Sequence, residues 1–155
     1  MDKLGYIPGD LVMTNGVPLG TKKGVVYRVT SSDPSKTLKL DDGTVLKGVV
    51  CLENIEGVEI GDWGYLSGDC CAWVKDIVPI PLSPAIFVTN EAFKLTFGLT
   101  FVYKNMGQIF SFSPSSERSG WKLRYGSQIL MKNMEFVHEF QHILFSLGLN
   151  SKMRV

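Results

Sequence analysis

The sequence predicts an α+β protein that is mostly β-strand, in which an N-terminal SH3-like barrel packs on a C-terminal module of helix, antiparallel sheet and helix. Two observations predict the strands: β-branched and aromatic residues recur in short segments, and glycine-rich turns separate these segments. A third observation, a helix-period pattern of apolar residues near the C-terminus, predicts the last element. We divide the 155 residues into a barrel module, 1–78, and an α+β module, 79–155.

The N-terminal module is predicted to consist of short strands. Residues 9–16 and 24–32 carry β-branched and aromatic residues between glycines. Residues 37–49 indicate a hairpin, because alternating apolar residues flank an Asp-Asp-Gly sequence whose glycine permits the backbone angles of a tight turn. Residues 57–69 predict further strands. Several short strands in so short a span favour closure into a small barrel, which hides the sheet edges.

The boundary between the modules is indicated by prolines. Pro79 and Pro81 force an extended backbone and remove hydrogen-bond donors from any sheet ladder. Ser83 followed by Pro84 is typical of a helix start, since the serine hydroxyl can cap an early amide and proline fits the first helical position. We expect this helix to run over residues 84–93.

The rest of the C-terminal module is predicted to be a sheet followed by a helix. Residues 94–114 read as aromatic-rich strands with a turn at residues 105–107, and residues 120–131 as a strand pair or a bulged strand. The closing helix is expected over residues 133–147, and Gly148 follows it in the position where glycine ends helices.

Charge and cysteine content narrow the partners and the compartment. Because 16 Lys and Arg oppose 15 Asp and Glu, the net charge is +1, and we do not expect nucleic acid as a partner. No apolar run approaches the roughly 20 residues that span a bilayer, and the start lacks a signal-peptide layout, so no membrane is expected. Cys51, Cys70 and Cys71 fit neither a disulfide framework nor a zinc pattern, which favours reduced thiols in a cytosol.

The C-terminal helix contains a candidate metal motif. His138, Glu139 and His142 have the spacing His-Glu-x-x-His, which in many hydrolases holds zinc. Such a site needs a third protein ligand, yet residues 143–155 contain no histidine, aspartate or glutamate. A helical projection also places both histidines opposite the apolar side around Phe140. We therefore expect a packing helix with exposed histidines and no cofactor, and a metal-dependent hydrolase with Glu139 as base is the alternative.

Aromatic and basic residues gather around Trp121. Lys122 and Arg124 share one face of a strand that starts at Trp121, because side chains alternate along a strand. Together with Trp121, Arg118 and Tyr125, they form the candidate ligand site, which would bind an anion or a nucleotide. Aromatic residues on strands commonly belong to the core, and that alternative stays open for Trp121.

Two segments carry a family resemblance. PIPLSPAIFVTNEAF (residues 79–93) and FVHEFQHILFSLGL (residues 136–149) resemble motifs of a family of small uncharacterised proteins from phages and prophages of gut bacteria, and PGDLVMTNG is similar to a third segment of that family. The family pattern admits Gln in the middle of the histidine motif and Asn at its end, which implies a packing helix rather than a zinc site. The resemblance implies no activity and no functional residues.

The resemblance implies a protein that acts in an infected cell. We expect a non-catalytic binding protein of a phage or prophage, located in the host cell cytoplasm, with an anti-defence role. Its partner would be a host protein that it masks or a small nucleotide-like signal that it sequesters. A virion or assembly component, for which self-association into a homo-oligomer matters, is the other non-catalytic alternative.

Overall fold

The chain divides into two compact units, Met1–Ile80 (unit 1) and Pro81–Val155 (unit 2). The described residues form ten β-strands, two α-helices and one short 3₁₀ turn, and both sheets are antiparallel, so the mostly-β α+β class is confirmed. No helix in the described part is both long and apolar enough to cross a membrane. The computed structural model describes residues 5–18, 20–55, 70–90, 93–96, 100–105, 107–115 and 120–153.

Unit 1 is built on one antiparallel sheet of five strands. Its strands are β1 (Leu11–Thr14), β2 (Tyr27–Lys39), β3 (Val45–Asn54), β4 (Cys70–Trp73) and β5 (Ile77–Pro79). The sheet order is β4-β3-β2-β1-β5, and the 3₁₀ turn Val74–Asp76 joins β4 to β5. Every strand contributes to one buried cluster, which consists of Val12, Tyr27, Val29, Val50, Leu52, Ala72 and Ile77. One face of the sheet therefore forms the core of unit 1.

The predicted SH3-like barrel is not seen in the described part of unit 1. The sheet is open, with β4 at one edge and β5 at the other, and no described pairing joins these two strands. The strands expected in residues 57–69 lie outside the described residues. What the structure shows is a small antiparallel sheet with one buried face.

The predicted hairpin is confirmed as the β2–β3 pair. The N–H of Leu40 donates to the carbonyl of Thr44 at 2.7 Å, and Gly43 in the turn has a φ of 90°. Glycine adopts this left-handed angle without steric cost. Two predicted strands merge into β2 across a shift in register around Pro34, which lacks the N–H that a regular ladder needs.

The expectation of reduced thiols is wrong for two of the three cysteines. Cys51 of β3 and Cys71 of β4 lie directly opposite each other and form a disulfide, with their Cα atoms 4.2 Å apart. Cys70 lies outside this bond and is partly buried. The register of β3 against β4 brings the pair together, and the spacing of cysteines along a sequence does not reveal register.

Unit 2 combines a five-stranded antiparallel meander with two helices. Its elements are α1 (Pro84–Thr89), β6 (Phe93–Leu95), β7 (Phe101–Asn105), β8 (Gln108–Pro114), β9 (Trp121–Tyr125), β10 (Gln128–Met134) and α2 (Val137–Ser146). Each strand pairs with the next along the chain, so the sheet order is β10-β9-β8-β7-β6. The N–H of Leu82 donates to the carbonyl of Glu135 at 2.8 Å, which joins the segment entering α1 to the segment entering α2.

Phe87 of α1 lies at the centre of the core of unit 2. Its ring is fully buried, and its centroid lies 4.8 Å from that of Phe101, 4.6 Å from Trp121 and 5.3 Å from Phe140. Aromatic pairs contribute about 0.5–1.5 kcal/mol each beyond the area they bury. Both helices therefore pack on the same face of the meander.

Both helices are shorter than predicted. α1 starts at Pro84 as expected but ends at Thr89, and Phe93 already belongs to β6. Ser83 precedes α1, but its side chain makes no capping hydrogen bond. α2 starts later than predicted because β10 occupies the preceding residues. Gly148 ends α2 as predicted, with a φ of 71° and its N–H donated back into the last turn.

Asp76 is a buried carboxylate that connects the end of β1 to the start of β5. It is 6% exposed and accepts hydrogen bonds from Asn15 Nδ2 at 2.9 Å and Lys75 Nζ at 3.0 Å. Burial raises the pKa of Asp76, but the two hydrogen bonds and the charge of Lys75 outweigh burial, and the net pKa is lowered. The ionised carboxylate therefore stabilises unit 1.

Replacing Asp76 with Asn is expected to destabilise unit 1 by about 1–3 kcal/mol near neutral pH, because a neutral amide oxygen replaces the charged acceptor of both hydrogen bonds. A carboxyl group with a lowered folded pKa stabilises the fold above its unfolded pKa of about 3.9, and this contribution is lost as the pH falls through the folded pKa. The difference in free energy of unfolding between wild type and Asp76→Asn, measured in urea, should therefore shrink in strong acid.

Asp41, which is exposed in the β2–β3 turn, offers the matched control. Asp41→Asn is expected to stay within about 0.5 kcal/mol of the wild type. A destabilisation by Asp76→Asn that is the same at neutral and acidic pH would contradict the role given to the carboxylate.

Candidate functional site

Strand β9 carries four of the five predicted ligand residues, and it divides them between two faces of the sheet. Trp121 and Tyr125 lie on the face that packs against the helices, together with Leu123. Lys122 and Arg124 lie on the opposite face, because neighbouring side chains alternate along a strand. The structure keeps the two cations together and separates both from the aromatic residues.

Trp121 belongs to the core of unit 2. It is 5% exposed, and its indole Nε1–H donates to the carbonyl of Leu82 at 3.3 Å. Tyr125 lies at the other end of β9, where it is 41% exposed and its ring centroid is 5.2 Å from that of Phe110. Arg118, the fifth predicted ligand residue, lies outside the described residues. Arg124 is exposed and Lys122 is partly exposed, and the two cations share one face of β9.

Two serines of β8 lie opposite the cations of β9. Ser113 pairs with Lys122, and Ser111 pairs with Arg124. Directly opposite residues in antiparallel strands have Cβ atoms about 4.5–5.5 Å apart, and residues two apart on one strand are separated by roughly 6.5–7 Å. The four side chains therefore mark the corners of a patch on the scale of a phosphate group.

The same face continues across the meander to further cations. Lys94 of β6 pairs with Val102 of β7, which pairs with Ser111. Lys104 of β7 pairs with Ile109 of β8 one row further along. Paired residues share a face, so these side chains extend the patch. We call this surface the open face; its described residues are Lys94, Val102, Lys104, Ile109, Ser111, Ser113, Lys122, Arg124 and Ile129.

The open face has positive charge that is not neutralised by the ion pairs seen in the described chain. Its described residues include four cations and no aspartate or glutamate. The ion pairs Arg28–Glu53 and Lys75–Asp76 of the described chain involve no cation of this face. Lys94 and Lys104 were missed by sequence reasoning, because their place on the same face as the cations of β9 depends on the register of the strand pairs between β6 and β9.

Helix α2 carries the histidine motif, and the structure corrects the expected exposure of its first histidine. His138 is 5% exposed and Gln141 is 4% exposed, although a helical projection places His138 on the polar side. Gln141 Nε2 donates to the carbonyl of Ser151 at 3.1 Å, so the chain after α2 folds back over this flank. That contact is non-local, and the periodicity of α2 alone does not predict it.

The two histidines lie beside each other, but few other metal ligands accompany them. The ring centroids of His138 and His142 are 5.7 Å apart, and the ring of Phe136 stacks on that of His138 at 5.9 Å. Within the described ranges, no group of three or more His, Cys, Asp or Glu side chains is placed to hold a metal ion. Zinc sites in proteins normally have at least three protein ligands. In the described ranges, the hydrolase alternative therefore rests on the histidine pair as metal ligands and on Glu139 as base.

No protein-family model, no curated protein and no solved structure matches this chain. The resemblance to phage and prophage proteins therefore stays a prediction from sequence segments.

Protein purified without added metal is expected to contain clearly substoichiometric zinc, because the histidine pair has no third ligand in the described structure. Elemental analysis of the full chain by mass spectrometry measures this, with His142→Ala as the matched variant. Stoichiometric zinc that disappears in His142→Ala would contradict the expectation and would place a metal site on α2.

Proposed function

We propose that this chain is a non-catalytic binding protein and that unit 2 binds a phosphate-bearing ligand on its open face. The observation that carries the proposal is the set of four cations on one face of a packed sheet, with no carboxylate among the described residues of that face. The sheet already orders the backbone that carries these cations, so little backbone freedom is lost when a ligand binds.

The chemistry of the open face suits a phosphate. The guanidinium of Arg124 presents a planar fork that matches two phosphate oxygens, whereas the ammonium of Lys122 acts as a point charge. The hydroxyls of Ser111 and Ser113 on the neighbouring strand can each donate one hydrogen bond. Charge and hydrogen-bond donors are therefore available within one patch.

The size and the charge of the chain favour a small ligand over a nucleic acid. From β6 to β9 the open face covers three strand spacings, about 14 Å, which is the scale of a nucleotide. The net charge of +1 means that acidic residues elsewhere balance the cations, so long-range attraction to a polyanion is weak. A nucleotide interacts mainly with the local cations and needs no basic excess of the whole protein.

The biological setting that we propose is the cytoplasm of an infected host cell. A phage or prophage protein that binds a nucleotide without transforming it would sequester a small signal and so act against host defence. This part of the proposal is supported by the sequence resemblance and by the chemistry of the open face. An alternative in the same compartment is that the protein binds and masks a host protein. A role as a virion or assembly component would require self-association.

A metal-dependent hydrolase is the second candidate function. It is favoured by the adjacent rings of His138 and His142, 5.7 Å apart on α2. Glu139, between them in sequence, would serve as the base that activates water. The zinc measurement described above separates this candidate from the binding protein.

Thermal unfolding of the full chain with cyclic and adenosine-derived nucleotides tests the binding proposal. A ligand that binds only the folded state stabilises it by about 2.7 kcal/mol at a concentration of about 100 times the Kd, which raises the Tm. We expect a rise in Tm for the wild type that Arg124→Glu abolishes, because the substitution places a carboxylate beside the phosphate. Lys39→Glu makes the same change of charge on an exposed residue of β2 in unit 1, and should keep the rise.

Two results would contradict the proposal. The first is the absence of any Tm shift across the nucleotide set. The second is an equal loss of the shift in Arg124→Glu and Lys39→Glu, because that result assigns the effect to net charge rather than to the open face. A true open-face complex should also weaken as ionic strength rises, since exposed charges are screened by salt.

A further inference from the structure

The disulfide of unit 1 joins two neighbouring strands at the edge of the sheet. Cys51 on β3 pairs in register with Cys71 on β4, and 20 residues separate them in sequence. β4 is an edge strand of four residues in the described sheet. The bond therefore connects the short edge strand β4 to the longer strand β3 with which it pairs.

The disulfide lies on the outer face of the sheet. Val50 and Leu52, the neighbours of Cys51 on β3, are fully buried in the core, so alternation places Cys51 on the other side. Cys51 is partly exposed and Cys71 is exposed. The surface that carries Cys71 is therefore open to a reagent in solution without unfolding of unit 1.

Cys70, the third cysteine, is placed so that it does not compete for this bond. It follows the alternation of β4 onto the inner face, where it packs against the buried cluster of unit 1. Burial raises the pKa of the Cys70 thiol. Since the thiolate is the nucleophile in disulfide exchange, a thiol with a raised pKa attacks the neighbouring bond slowly.

From this placement we propose that Cys51–Cys71 is a reversible thiol–disulfide exchange site that reacts with dithiol reductants. Reduction of the bond removes the covalent link between β4 and β3. The inference is independent of the ligand proposed for unit 2. Unit 1 then has a disulfide-bonded form, called the closed form, under oxidising conditions and a reduced form, called the open form, under reducing conditions.

The exchange proceeds in two balanced steps. A thiolate of the dithiol attacks Sγ of Cys71, a mixed disulfide forms, and the bond to Cys51 breaks; the Cys51 thiolate leaves and takes a proton from solvent. The second thiolate of the dithiol then attacks the dithiol sulfur of the mixed disulfide. Cys71 leaves as a thiolate and is protonated by solvent. Two electrons pass from the dithiol to the two cysteines, and the dithiol ends as a cyclic disulfide. The two protons that it loses balance the two that the cysteines gain.

Opening should loosen β4 without unfolding the rest of the sheet. In the open form, β4 is held by its backbone pairing to β3 and by the burial of Ala72, which is 3% exposed. A disulfide stabilises mainly by restricting the unfolded chain, so the closed form should melt at a higher temperature than the open form.

The full native chain tests this after equilibration in mixtures of reduced and oxidised dithiothreitol, followed by thiol alkylation and peptide mass spectrometry. We expect Cys51 and Cys71 to be protected together in the oxidised protein and to become alkylated together on reduction without denaturant. The Tm should fall by several degrees on reduction. The double variant Cys51→Ser, Cys71→Ser should have the lower Tm with or without reductant, and Cys70→Ser should keep the redox-dependent shift.

Three outcomes would overturn the proposal. One is alkylation of Cys51 and Cys71 in the air-oxidised native protein, which means that the bond does not form. Another is reduction that requires denaturant, which means that the bond is inaccessible. The last is loss of the redox-dependent shift in Cys70→Ser together with its persistence in the double variant, which would assign the effect to Cys70.

Discussion

The aromatic packing around Phe87 decides which face of the unit 2 sheet is left to solvent. Because side chains alternate along a strand, burial of Trp121 and Leu123 against α1 and α2 commits Lys122 and Arg124 to the opposite face. Paired residues of neighbouring strands share a face, so the register of the sheet places cations of β6, β7 and β9 on this same surface. The proposed anion site thus depends on the packing of the core rather than on a loop. Among the described residues, the rings of Phe93, Phe101, Phe112, Trp121 and Phe140 lie within contact distance of Phe87.

Elements that depend on local chemistry were predictable from the sequence. Gly43 marks the β2–β3 turn, Pro84 the start of α1 and Gly148 the end of α2, because each residue has a backbone preference that few others share. Features that depend on contacts distant in sequence were not. Barrel closure depends on pairing between remote strands, and the disulfide between Cys51 and Cys71 depends on the register of β3 against β4.

The candidate site was predictable only in part, for the same reason. Alternation along one strand already placed Lys122 and Arg124 together, but it also separates them from Trp121, whose indole is held in the core by the carbonyl of Leu82. Lys104 shares a face with Arg124 only through the β7–β8 and β8–β9 registers. His138 was expected at the surface, but it is buried and its ring stacks on that of Phe136. In each case, the residue's own segment predicted which strand or helix holds it, whereas its burial and its partners depend on residues distant in sequence.

The most direct test of the central claim is an NMR titration of the isotope-labelled full chain with the nucleotide that gives the largest thermal shift. If the open face binds the phosphate, the largest changes in chemical shift should fall on β8 and β9 around Ser111, Lys122 and Arg124, while the amides of unit 1 stay unchanged. Changes centred on His142 of α2 or on unit 1 would contradict the account, and so would the absence of any change at a ligand concentration that saturates the thermal shift.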